Sequence, residues 1–279
     1  MSRRREVEGK LHSLQEIKGI MTSMKNISLV ETHKLRRLLS SQLPVVRGIE
    51  EVAEDFLQFQ PAFRVPSPPL LHLYLLIGAE RGFCGDFNER LLQTTERALA
   101  ADSGTKAGCL AVGRKLCAAL EGDPRVLAFL AGPSVVAEVP EILSRVLESF
   151  GALQAEHGPA SLSIIHHTAE QEEIRTVRLL PPFQETPRKP RRFASPPRLY
   201  LPAALFFAGL VEHYLFAALN EIFYTSLMAE HLHRVQHLDA ATHRLEEQAA
   251  ELSLKRNTLR QEEITEEIEV ILLSTEALA

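Results

Sequence analysis

The sequence predicts an α/β fold class with a long antiparallel coiled coil: a helix at each chain end, paired with the other, and between them a domain with a mostly parallel sheet. Three observations carry this. All sixteen prolines fall between Pro44 and Pro202. At both ends apolar side chains recur at steps of three and four, the helical period. In the middle, short apolar runs alternate with helical stretches, the pattern of strands laid side by side through helical crossovers.

The first segment, 1–60, reads as one helix. Val7, Leu11, Leu14, Ile17, Met21, Met24 and Ile27 form a stripe, and Leu35, Leu38, Val45, Ile49, Val52 and Phe56 continue it after Glu31. Gly9 and Gly19 each weaken that helix by about 1 kcal/mol against alanine, but small residues also let a partner helix approach. The central segment, 70–185, changes period. Leu70–Ile77 is a buried-strand run ending at Gly78, and Phe87–Ala101 is helical. Cys109–Val112 and Pro124–Leu130 read as strands, Val135–Phe150 as a helix, and Leu162–His166 and Ile174–Leu180 as the last two strands. Segment 186–202 is rich in proline and arginine and reads as an exposed loop.

The last segment, 203–279, has no proline and one glycine, Gly209. As one helix it would be about 115 Å long at ~1.5 Å per residue, too long for a single core of this size, so part of it must pair elsewhere. Its stripe runs through Met228, Leu232, Val235, Leu238, Ala241 or Thr242, Leu245, Ala249 and Leu252. It resumes after a slip near Arg256 at Leu259, Ile264, Ile268, Ile271 and Leu278. Charge selects the partner. Residues 1–40 hold nine basic and four acidic side chains, residues 246–279 three basic and nine acidic. Opposite signs favour pairing of the two ends over pairing of each with a copy of itself.

Composition closes off several functions. With 45% hydrophobic and 24% charged residues the chain is not disordered. No apolar run is read as approaching the roughly 20 residues of a membrane span. The basic start, followed at once by Glu6 and Glu8, predicts neither a signal nor a transit peptide. A net charge of −5 gives no general pull toward nucleic acid. Three cysteines, Cys84, Cys109 and Cys117, suit neither a disulfide framework nor a four-ligand zinc site and point to a reducing compartment.

The chemical motifs fail one by one. Gly108-x4-Gly113-Arg114-Lys115-Leu116 lacks the Lys and the Ser or Thr that a phosphate loop needs directly after its glycine. Cys84 has Gly85 beside it and Asp86 where a nucleophile elbow needs glycine, so Arg81-Gly82-Phe83-Cys84-Gly85 reads as a tight turn with a buried thiol. His166 and His167 point to opposite faces of a strand, and His231 and His233 diverge on a helix. His233 and His237 share a face without the intervening glutamate of a zinc protease, and read as solvated or interfacial. The basic 185–198 stretch lacks interleaved aromatics. No catalytic constellation assembles, and the chain reads as a mechanical or scaffolding subunit.

The layout and local motifs together resemble the gamma subunit of F-type ATP synthase over nearly the whole chain. Lys10-Leu11-His12-Ser13-Leu14 and Ile20-Met21-Thr22-Ser23-Met24 are similar to the start of the family's first shaft helix. Arg81-Gly82-Phe83-Cys84-Gly85-Asp86-Phe87-Asn88 is similar to its arginine-glycine-leucine-cysteine-glycine-x-x-asparagine turn. Gly113-Arg114-Lys115 and Leu179-Leu180-Pro181 fall at comparable places. So do Ser226-Leu227-Met228-Ala229-Glu230-His231, Arg234 and Asp239-Ala240-Ala241-Thr242. The tail Asn257-x-x-Arg260-Gln261-x-x-Ile264-Thr265-x-Glu267-Ile268 is the most specific match.

That resemblance implies a paired-helix rotor shaft inside an α3β3 hexamer, with a Rossmann-like foot domain on the membrane ring. It implies α and β subunits, an ε or δ-type stalk subunit and the c-ring as partners, at the cytoplasmic face of a bacterial plasma membrane. No cofactor, metal, nucleic acid or direct membrane insertion is implied, and catalysis belongs to β. The residues it assigns to the β catch loop and the hexamer sleeve are Arg260, Gln261, Met24, Arg234, Thr265, Glu267, Ile271 and Leu272. Arg81, Gly82, Cys84, Gly85 and Asn88 form its structural turn. Val270, Ser274-Thr275 and Glu31-Thr32-His33 depart from the family pattern and point to a divergent gamma of an alternative F-type ATPase. Two other readings stay open: a coiled-coil adaptor that works outside any hexamer, and an α/β enzyme using Cys84.

Overall fold

A computed structural model describes residues 3–64, 71–102, 106–169, 173–184 and 195–276, with side chains as far as Ile271. Ten helices and strands follow in the order α1 (Arg3–Phe59), β1 (Leu71–Ile77), α2 (Phe87–Ala101), β2 (Lys106–Val112), α3 (Arg114–Ala119), β3 (Val126–Leu130), α4 (Val139–His157), β4 (Ala160–His167), β5 (Ile174–Leu180) and α5 (Ala203–Glu276). They form two compact units, Leu29–Arg234 and Met1–Ser28 with Val235–Ala279. These units do not coincide with the segments 1–60, 70–185, 186–202 and 203–279, because both long helices contribute to both units. Most of the basic loop, residues 185–194, lies outside the described residues.

In the larger unit the strands lie in the order β3-β2-β1-β4-β5. β1 pairs parallel with β2 and β4, β2 pairs parallel with β3, and β5 closes the edge antiparallel to β4. Parallel neighbours need crossovers, which α2, α3 and α4 supply. The two-residue period of β1 divides its side chains between two layers. Leu71, Leu73, Leu75 and Ile77 pack with Phe56 and Leu57 of α1, Ile142 and Val146 of α4, and Leu219 and Phe223 of α5. Tyr74 and Leu76 face Leu91 of α2 and Leu116 of α3. The sequence missed α3, six residues after Gly113. Gly113 has φ of 112°, and a Cβ there would stand 2.6 Å from the Gly78 carbonyl oxygen, so this turn needs glycine. The helix expected from Val135 starts as a 3-10 turn, Val136–Glu138, and continues to His157.

α1 runs through Pro44. A proline inside a helix costs about 3 kcal/mol, and buried Leu39 and Val46 on either side hold the helix against the core. The predicted stripe is only half right here. Leu35, Leu39, Val46, Ala53 and Phe56 are buried, whereas Leu38, Val45 and Val52 face solvent.

α5 contains an 18-residue window of mean hydropathy 1.4, enough by length and composition alone for a membrane span, against the sequence expectation. A core helix passes the same test. This one packs Tyr214, Ala217, Ala218, Ile222 and Leu227 into the core.

In the smaller unit the two helices pair antiparallel. Arg4 Nη1 meets Glu263 Oε2 at 2.9 Å, Lys18 Nζ meets Glu246 Oε1 at 2.8 Å, and Lys25 Nζ meets Asp239 Oδ1 at 2.8 Å. As the α1 partner advances, the α5 partner retreats by nearly the same number of residues. The inner side of α1 runs through Val7, Leu11, Leu14, Lys18, Met21, Lys25 and Ser28. That is the heptad spacing of a coiled-coil seam. On α5 it runs through Leu238, Thr242, Leu245, Ala249, Leu252, Arg256, Leu259 and Glu263, with no slip at Arg256. The expected seam residues Ile17, Ile27, Ile264, Ile268 and Ile271 are exposed instead. The side chains of Leu272, Leu273 and Leu278 lie outside the described residues.

Candidate functional site

The residues singled out by sequence fall into three places. The first is the turn after β1, which the fold ties to α5. Asn88 Oδ1 accepts the Ala79 N–H at 2.9 Å, and Gly85 has φ of 58°, which explains asparagine and glycine at those positions. Cys84 is buried with Ala79, Phe87 and Ala229. Glu230 of α5 accepts the backbone N–H groups of Glu80 and Arg81, each at 3.3 Å.

Arg234, one helical turn on, forms an ion pair with Glu230 and donates to the carbonyls of Gly82 at 3.2 Å and Arg81 at 3.4 Å. It also reaches Cys84 Sγ at 3.3 Å and His231 Nδ1 at 3.1 Å. Expected among the partner-binding residues, Arg234 is 3% exposed. Its planar fork is occupied inside the chain, so it clamps the turn to α5. Burial, and secondarily the Glu230 charge, pushes the Cys84 thiol up to about 12. A thiol held that high supplies almost no thiolate, so the nucleophile reading of Cys84 loses its chemistry. Burial likewise raises the Glu230 carboxyl, opposed by Arg234 and the two N–H donors.

The second and third places are stations on the paired helices. Around Met24, which is half-buried, Glu16, Gly19, Ile20, Ser23 and Ile27 line a shallow groove. Ile20 is 62% and Ile27 59% exposed. Arg260, Gln261, Thr265, Glu267 and Ile271 are all exposed on α5, with Ile264 and Ile268 among them. The Thr265 hydroxyl donates back to the Gln261 carbonyl at 2.9 Å, leaving the Gln261 amide and the Arg260 guanidinium as outward-facing polar groups. Glu263, Glu266, Glu267, Val270 and Ile271 border a second groove. Met24 lies beside the Lys25–Asp239 pair, so it is separated from Arg260 by about 30 Å of helix. The assigned contacts therefore form two stations, each mixing exposed isoleucine with polar groups.

Sequence reasoning missed the buried polar anchors. Glu31 accepts the Val136 N–H at 3.0 Å and pairs with Lys34 at 2.6 Å. Burial opposes its charge, yet Lys34 and that N–H hold its carboxyl below the ordinary range. Glu31, expected to depart from the family pattern, is thus an internal brace. Glu80 accepts the N–H groups of Arg114 at 2.9 Å and Gly132 at 2.7 Å.

Asp102, His72 and Ser163 form a chain, with His72 Nδ1 on Asp102 and Nε2 on Ser163 Oγ at 2.9 Å. This is the bonding order of a hydrolytic triad. Ser163, however, sits mid-strand in β4 and is buried, so no substrate carbonyl reaches it. Tyr74 also bonds Asp102, at 3.2 Å, completing a structural network. His233 packs edge-on against Phe87 and His167 rather than lying in solvent. Among the described residues no group of three or more His, Cys, Asp or Glu side chains could hold a metal.

An α/β domain with a charge-laddered helix pair, whose outward side chains are apolar and polar in turn, defines a chain that works through other subunits. The family model described as ATP synthase matches residues 3–278, and the chain belongs to that family. Its relatives include ATP synthase gamma chains. That of Sulfurovum sp. strain NBC37-1 is 24% identical over all of both chains, and that of Aquifex aeolicus strain VF5 is 25% identical over 98% of this chain and 97% of its own. Among solved structures, a chain of the Euglena gracilis mitochondrial ATP synthase OSCP/F1/c-ring assembly has the same fold. The TM-score is 0.64 at 16% identity, covering 99% of this chain and 94% of that one. A chain of the Tetrahymena thermophila mitochondrial ATP synthase central stalk and c-ring gives 0.56 over 80% and 99%.

Proposed function

We propose that this chain is the central rotor shaft of an F1 motor. It couples ion-driven rotation of a membrane ring to ATP synthesis or hydrolysis in an α3β3 hexamer. The observation that carries the reading is the ion-pair ladder from Lys25–Asp239 to Arg4–Glu263. A helix pair locked at several points along its length resists twisting, because each bridge and each seam contact must shift when one helix rotates against the other. Beyond Glu263 the side chains of Ile264, Ile268 and Ile271 are exposed, which suits contact with surfaces outside the chain. Apolar side chains with few directional bonds suit a sleeve in which the tip turns, since no hydrogen bond must break at each step.

Arg260 and Gln261 are the gripping residues in this reading. The guanidinium offers a planar fork to a carboxylate of a β catch loop, a geometry lysine cannot reproduce. Thr265, Glu267, Ile271 and Leu272 continue that contact, and Met24 meets β at the other station. The chain contributes no active site of its own. It works at the cytoplasmic face of the plasma membrane, with a stalk subunit of the ε type and the c-ring at its foot.

Reconstitution with α and β subunits tests the proposal. The chain should raise and organise their ATPase activity, and Arg260→Ala with Gln261→Ala should alter it. An unchanged rate in the double variant removes the catch assignment. Failure of the unaltered chain to assemble favours the adaptor reading.

A further inference from the structure

A groove in the larger unit has walls of a different chemistry. It encloses about 680 Å3 between α1, α5 and the adjoining ends of β4 and β5. Small-molecule sites typically span roughly 300–1,000 Å3. Arg36 and Arg47 enter it from α1, roughly three turns apart and so on one face of that helix. Arg175 enters from β5. Among the described residues, no carboxylate lies within ion-pair distance of Arg36 or Arg175. The charged lining is completed by Glu221 of α5, whose carboxyl is raised by burial and then by Glu50, and lowered by Arg47. Thr225 adds a hydroxyl, and Leu43 and Met228 form an apolar wall.

Three guanidinium groups around one concavity repel each other and, among the described lining residues, leave an excess of positive charge after Glu221 is counted. A ligand that suits them carries at least two negative charges on closely spaced oxygens. Phosphate oxygens match the guanidinium fork in spacing and accept charge-assisted bonds. The apolar wall sets a second requirement, because a bare inorganic anion would leave Leu43, which is exposed, and half-buried Met228 uncovered. Burial and the neighbouring Glu50 favour the neutral form of Glu221, which lowers the repulsion an anion meets there.

We propose that this groove binds a soluble organic polyphosphate of the nucleoside triphosphate class, with Arg36, Arg47 and Arg175 on the phosphates and the ring system against Leu43 and Met228. Binding here involves no bond making or breaking. It does not depend on the rotor reading, which it would supplement with a ligand-sensing function.

Calorimetric titration of the full chain tests this, with ATP, sodium tripolyphosphate and phosphatidylglycerol vesicles as separate probes. ATP should bind saturably at one site, with a Kd below about 1 mM, and more tightly than tripolyphosphate. Arg36→Gln and Arg175→Gln should each weaken ATP by about tenfold, the loss expected for one charged hydrogen bond. Glu221→Gln should tighten it. Both arginines are exposed, so these variants should melt with the unaltered chain, and the gain in Glu221→Gln guards against reading a folding defect as lost binding. No saturable binding, unchanged affinity in the double arginine variant, tripolyphosphate as tight as ATP, or capture by vesicles alone would each overturn the proposal.

Discussion

Arg234→Ala should unlatch the turn after β1 from α5, and the structure sets the size of the effect. The guanidinium is buried, pairs with Glu230 and caps two carbonyls. Removing one partner of a buried pair costs about 3–5 kcal/mol, mostly the penalty of an orphaned charge. Two features hold the figure to the lower end. Arg81 is exposed and Gly82 half-exposed, so water can replace the donors to their carbonyls. The orphaned Glu230 can also take up a proton. A loss of about 3 kcal/mol multiplies the local opening equilibrium by roughly 150.

Cys84 reports that opening directly. It is 6% exposed, and its thiol reacts with a disulfide reagent only when the turn lifts. Cys109, buried on β2 in a separate cluster, is the internal reference. Pulse labelling should show Cys84 accelerated about a hundredfold relative to Cys109. The deficit should grow from pH 5 to pH 8, because a Glu230 carboxyl whose folded pKa lies above its unfolded value loses stability as pH rises. Paired replacement of Glu230 and Arg234 by methionine should cost less than Arg234→Ala alone. If Cys84 in Arg234→Ala labels within threefold of the unaltered chain while α5 stays helical, the latch argument is wrong.

Two further outcomes follow from the buried histidines and the ion-pair ladder. Burial holds His166, His167 and His231 down to about 4, so as pH falls below about 6.5 the unfolded chain takes protons that the folded one refuses. Denaturation midpoints of the larger unit should therefore fall between pH 6.5 and 4, each histidine contributing up to about 3 kcal/mol. His167→Phe, which keeps the stack on Phe87, should flatten the slope, and a flat profile in the unaltered chain would contradict the burial account. Lys25→Glu should lower the melting temperature of the helix pair at low salt and Asp239→Lys should restore it. A double variant no better than the single would show that the bridge is incidental.

The central domain was legible because β1 and β2 are mostly apolar runs and breakers sit between the strands. β5 falls at the expected residues, and α2 starts and ends as the periodicity indicates. α3 was not legible, since six residues give too little period to see, and its start depends on Gly113 fitting under the Gly78 carbonyl. The buried acids were invisible for a different reason. Glu31, Glu80 and Glu230 bond to backbone N–H groups distant in sequence, and no local pattern announces such a partner. Arg234, expected to face a partner, is instead buried against the turn after β1. A family motif gives position, not direction.

The partly misplaced stripe teaches more. α1 of the smaller unit carries two rows at heptad spacing, one through Val7, Leu11, Met21, Lys25 and Ser28, the other through Ile17, Ile20, Met24 and Ile27. Scoring by hydrophobicity favours the second row, because Lys18, Lys25 and Ser28 dilute the first. The fold buries the first all the same, since lysine stems cover apolar surface while their ammonium groups reach Glu246 and Asp239. An isolated helix pair would gain by putting isoleucine in its seam. That this one leaves Ile20 and Ile27 in solvent indicates a second requirement on the sequence, and on the rotor reading the hexamer supplies it. Ile20→Ser with Ile27→Ser should then leave the melting of the free chain nearly unchanged while weakening its assembly with α and β. Destabilisation of the free chain by these changes would return the isoleucines to the seam.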